Sequence, residues 1–173
     1  MQSSPSWDLV ITLVFVIGIT YGFIMLRDRI LAALLSVYAG TLIANYLAGP
    51  ISKFFNGDTA LLNKIWVESS ASPFAIKVVL FLAVILLFLT KSGLVGRRSS
   101  YSFFELGAYS FFTVCITLAS LFSFMEPAKV ATYTATSKLA TLIVDHHALW
   151  YVAPLFVLLF MGRTTRARSS DDY

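Results

Sequence analysis

The chain has 173 residues, 58% of them hydrophobic and 13% charged, with a mean hydropathy of +0.79 and a formal net charge of +4. This is far from soluble-domain usage, and the apolar residues gather into blocks that match a hydrocarbon core ~30 Å thick at ~1.5 Å per helical residue. The positive charge sits in short loops and a tail with no basic stripe interleaved with aromatics, which excludes a nucleic-acid surface and points to topology and lipid headgroups.

The first predicted span runs over 9–26 behind Ser6, Trp7 and Asp8. Trp7 suits the membrane interface and Asp8 the positive end of a helix dipole. No Lys or Arg precedes this block and no small-x-small cleavage site follows it, so it reads as a retained span. Arg27, Asp28 and Arg29 interrupt it, and a second span follows over 30–47. Gly49 and Pro50 are expected to break that helix. The two spans form a tight hairpin whose turn lacks Gly or Pro.

Residues 51–72 are too polar to span, but Asp58 can cap a surface helix with Leu61, Leu62, Ile65 and Trp66 on one side. Ser72 and Pro73 read as N-cap and first residue of a third span over 74–90, with Lys77 placed to snorkel. Residues 91–102 form a flexible basic loop. Its Gly93 and Gly96 lack the Lys-Ser/Thr of a nucleotide loop. A fourth span over 106–125 stops at Glu126-Pro127, because proline cannot continue a helix that needs its N–H. Residues 128–145 read as a second surface helix or a re-entrant piece. A fifth span over 148–162 is closed by a basic tail, 163–173, with His146 and His147 at the interface.

The predicted fold is therefore all-α: a polytopic helical membrane protein, one transmembrane domain of about five transmembrane helices with one or two interfacial helices. Arg27, Arg29, Lys91, Arg97, Arg98, Arg163, Arg166 and Arg168 fall on one side of a five-span path. The other side has Lys53, Lys64, Lys77, Lys129 and Lys138, spread over longer segments. The positive-inside rule puts the arginine-rich face in the cytoplasm and the N-terminus outside.

Charged residues at bilayer depth are costly and mark ion paths, yet the span middles hold Ile17, Gly18, Tyr38, Ala39, Leu82, Cys115 and Leu155. None is charged, which disfavours a proton-coupled pump made from a single copy. Asn45 and Glu105, toward span ends, read as helix-end or interhelical hydrogen-bonding groups. His146 and His147 are adjacent and point about 100° apart on a helix, so they cannot share a metal as an i, i+4 pair does. No serine sits in a GxSxG turn, the single Cys115 cannot form an intrachain disulfide, and the sequence assigns no catalytic, cofactor or metal site. The repeated Tyr-Ser-Phe-Phe at 101–104 and 109–112 reads as packing or lipid-facing aromatics.

Small residues carry more information. Gly18 and Gly22 make a small-xxx-small pair in the first span, and Ser36, Gly40 and Ala44 a longer run in the second. The expected use is close packing of the first hairpin, with a seam between copies as the alternative.

Trp7-Asp8 before an apolar run, Gly18-x-x-x-Gly22, the basic turn Arg27 to Arg29, the second helix with Ser36, Gly40 and Ala44, and a loop before another apolar pair together resemble the colicin V production protein family. The resemblance covers residues 7–125, and the fifth span is additional to that family's four-span layout. It implies a non-enzymatic bacterial inner-membrane component connected with secretion or envelope homeostasis, and supplies no catalytic residues. Its partners would be the lipid bilayer and further copies or other membrane proteins. Alternatives are an oligomeric pore, holin-like or small transport protein, and a subunit of a larger membrane complex in which His146 or His147 touches a cofactor held by another chain.

Overall fold

In hydrocarbon no water is available to backbone N–H and C=O groups, so each crossing segment must pair its backbone within itself or in a closed barrel. The computed structural model describes residues 6–24, 28–55, 72–91 and 103–167, and every element among them is an α-helix: α1 Trp7–Ile24, α2 Asp28–Phe55, α3 Pro73–Lys91, α4 Phe103–Phe124, α5 Pro127–Thr136, α6 Lys138–Asp145 and α7 His147–Ala167. Four of these, α1 to α4, are long and apolar enough to cross a membrane, or five spans if the bent pair α6–α7 is one. The surface helix predicted after Asp58 lies outside the described residues, as do Arg27 of the predicted turn and 92–102 of the predicted basic loop, whereas Asp28 and Arg29 begin α2 and Lys91 ends α3.

The local start signals act as read. Ser72 caps α3, its hydroxyl accepting the Ala75 N–H at 3.2 Å, and Pro127 occupies the first turn of α5, where its missing N–H costs nothing. Pro50 does not act as expected. α2 runs through Gly49 and Pro50 to Phe55, a correction to the break predicted there. A helix already about six turns long need only tolerate one lost bond, the one a residue-50 N–H would make to the Tyr46 carbonyl. Ser52, two residues on, donates its hydroxyl to the Gly49 carbonyl at 3.0 Å. With 28 residues, α2 is a rod of about 42 Å at ~1.5 Å per residue, longer than the hydrocarbon core requires.

α4 is the central element. Tyr109, Ser110, Val114, Cys115, Ile116, Leu118, Ala119, Ser120 and Phe124 are buried along it, with α1 on one flank, α2 and α7 on others, and α3 packed mainly on α2. One core cluster joins Leu34, Val37 and Ala44 of α2 to Phe81, Ile116 and Phe124. A second joins Ile11 of α1 to Val114, Leu118, Ala140 and Ile143. α6, from the stretch expected to lie on the surface or dip inward, thus belongs to the bundle. By contrast Ile11 and Gly22 are the buried residues of α1, and Ile76 and Phe81 those of α3. Most of both helices faces away from the chain.

Candidate functional site

The small residues lie at close helix contacts, but with other partners than the hairpin suggested. A Cβ on Gly18 would collide with the Val114 side chain, and one on Gly22 with Ser110, both of α4, and at 2.7 Å with Ile30 Cδ1 of α2. A Cβ on Gly40 would sit 3.0 Å from Phe81 Cδ2 and 3.3 Å from the Phe81 carbonyl oxygen, on α3. Gly18 and Gly22 therefore let α1 approach α4, and Gly40 lets α2 approach α3. This corrects the expected hairpin seam: an i, i+4 pair of glycines flattens a face without specifying which helix will cover it. Ala44 is fully buried, and Ser36, also buried, turns its hydroxyl to its own helix, donating to the Ala33 carbonyl at 2.7 Å. Of the topology-setting arginines, Arg29 is exposed near the start of α2, and Arg163 and Arg166 fall in the last turns of α7. Arg27, Arg97, Arg98 and Arg168 lie outside the described residues.

Between α2, α4 and α7 the hydroxyls form a chain that sequence reading missed. Thr41 donates to the Val37 carbonyl at 2.8 Å and lies 2.7 Å from Ser120 Oγ, which lies 2.8 Å from the Tyr151 hydroxyl. Each hydroxyl has one hydrogen. Since that of Thr41 goes to a carbonyl, Ser120 donates to Thr41 and Tyr151 donates to Ser120. Tyr38 donates to the backbone carbonyl of Tyr151, three residues before Pro154, which is buried inside α7. Every hydroxyl hydrogen in this group is used, so it clamps three helices and has no donor to spare.

The second feature is the bent pair. α6 and α7 meet at 67°, and both ends of α6 are capped by groups outside its own turns. At its N-terminus Ser137 Oγ accepts the Ala140 N–H at 3.0 Å, while the Asp8 carboxylate of α1 accepts the Ser137 hydroxyl at 2.6 Å and the Leu139 N–H at 3.1 Å. Trp7 packs edge-on against Tyr133 with ring centroids 4.4 Å apart, fixing α5 to the same end. At its C-terminus His146 Nδ1 donates to the Leu142 carbonyl at 3.3 Å and His147 Nδ1 to the Val144 carbonyl at 3.0 Å. A carbonyl only accepts, so Nδ1 of each ring carries a hydrogen.

Trp150 lies 6.1 Å from Phe111, and Phe111 lies 5.5 Å from Phe15, near the middles of α4 and α1. His146 and His147 stand about one turn before Trp150, at the bend, and both are exposed. The indole N–H of Trp150 is buried without a partner. Asn45 is exposed on α2, and among the described residues no three His, Cys, Asp or Glu side chains gather in a way that could hold a metal ion.

Asp8 was legible as a helix-start residue, but nothing in the sequence announced that the helix it caps includes α6, far along the chain. The hydroxyl clamp left a fainter trace, Tyr38 and Thr41 being one turn apart and so on one face of α2. No family model matches this chain, and neither a curated protein nor a solved structure is similar to it.

Proposed function

We propose that this protein is a non-enzymatic accessory or scaffold protein of the bacterial inner membrane, supporting secretion or envelope homeostasis. The observation that carries this reading is the division of labour among the helices. The hydroxyls of the interior are taken up by interhelical hydrogen bonds, as at Ser120, Tyr151 and Ser137, or by carbonyls of their own helix, whereas α1 and α3 turn most of their apolar surface outward. Faces of that kind pack against other membrane helices or further copies of the chain through van der Waals contact. The resemblance to colicin V production proteins belongs to the same reading, as does an orientation with the N-terminus outside and the C-terminus cytoplasmic, drawn from the arginines.

The bent pair favours a second reading, a small transport protein. Discontinuous helices that meet within a bundle are a recurring element of transporter sites. Two measurements separate the two. Specific co-purification of a membrane partner in mild detergent, with sealed vesicles that stay tight to small solutes, supports the scaffold. Solute flux that depends on the protein, without a partner, supports transport and overturns the scaffold.

A further inference from the structure

An apolar groove of about 370 Å³ opens between α1 and α2, with α3 at its edge and α4 as its floor. Its walls begin at Val14 and Thr117, near the middles of α1 and α4, and end at Arg29. On α3 it touches Ile85 and Leu89, in the half that ends at Lys91. The groove therefore covers one half of the bundle's height. From Val14 to Gly22 a helix rises about 12 Å at ~1.5 Å per residue, against about 15 Å for half of a ~30 Å hydrocarbon core.

The floor is polar in sequence and apolar in effect. Ser110, Thr113 and Thr117 each donate their hydroxyl to a carbonyl one turn back in α4, at 2.7–2.8 Å. What remains exposed to the groove is hydrocarbon. Among the described residues Arg29 is the one charged residue that lines it, and it stands at the open end. A crossing helix of a partner would need the full height of the bundle, of which the groove covers half.

We infer that this groove holds one acyl chain of an anionic phospholipid from the leaflet at the Arg29 end, with the headgroup phosphate on the Arg29 guanidinium. A guanidinium offers a fork of donors that matches phosphate, and the chain, lying beside Ile17 and Leu89, replaces lipid tails that would otherwise have to fill a concave surface. The inference rests on the membrane-embedded reading but not on the scaffold role.

The test uses the full chain in nanodiscs of equal parts phosphatidylglycerol and phosphatidylcholine with matched acyl chains, released into the gas phase for native mass spectrometry. The wild type is expected to retain phosphatidylglycerol several-fold over phosphatidylcholine. Arg29→Gln should bring the two to near parity, and Ala33→Phe, which fills the groove from α2, should lower retention of both. Lys91→Gln, at the same end but outside the groove, should leave the preference intact. Equal retention of both lipids by the wild type, or the same loss in Lys91→Gln as in Arg29→Gln, overturns the inference. So does efficient cross-linking of Ile17→Cys between two copies, which would make a second chain the occupant. A failed lipid preference alongside a co-purifying partner removes this site and leaves the scaffold reading standing.

Discussion

The Asp8 carboxylate accepts the Ser137 hydroxyl at 2.6 Å across 129 positions of sequence, and the same oxygen takes the Leu139 N–H. One residue at the head of α1 thereby supplies what α6 lacks, an acceptor for an N-terminal amide with no intrahelical partner. Asp8→Ala should lower the melting temperature in detergent and speed hydrogen exchange at Leu139. Asp8→Asn keeps an acceptor oxygen without the charge and should fall between. Exchange at Leu139 that is unchanged in both variants would count against the cap.

The close approach of α2 and α3 depends on the absence of a side chain at residue 40. Gly40→Leu must push Phe81 away from a contact already at 3.0 Å, and overpacking of this kind costs ~1–3 kcal/mol. Leu82→Phe enlarges a residue that faces outward and should be close to neutral. Thermal unfolding of the two variants in one detergent checks the ranking, and equal stability contradicts it.

For the hydroxyl clamp, removal of a single link should cost about 0.6 kcal/mol and at most ~1.7, the range for interhelical hydrogen bonds in membranes. Tyr151→Phe ends the donation to Ser120, and Thr41→Val removes its far end. Because Ser120 joins them, the double variant should cost less than the two singles added together. A double-mutant cycle that gives strict additivity would show the two links to be independent.

A reporter fused after Tyr173 should be active in the cytoplasm and silent in the periplasm if the arginines set the orientation. Replacing Arg163, Arg166 and Arg168 together with Gln should weaken that preference, with accessibility of a cysteine placed at Ser6 as the independent readout. A periplasmic C-terminus in the unaltered chain would reverse the proposed topology.

The crossing helices were legible because their signal is local: an unbroken apolar run, a Ser-Pro start at Ser72 and Pro73, a stop at Glu126 and Pro127. Pairings were not. Gly18 and Gly22 declare a flat face, but Val114 and Ser110 cover it from far along the chain, and Thr41 meets Ser120 over 79 positions. Pro50 misled for the opposite reason. A local rule was applied where an established helix outweighs it. His146 and His147 were legible as the start of an apolar run, but not that α6 meets that run at 67°.

α6 has eight residues, too few to cross a bilayer, and its Leu139 amide is satisfied only when Asp8 stands at the head of α1. The seat of α6 is therefore built by a residue laid down at the other end of the chain, and it is complete only when both ends are present. Chains that end before Ser137 should reach the membrane but leave that seat open, a form that quality-control proteases would be expected to recognise.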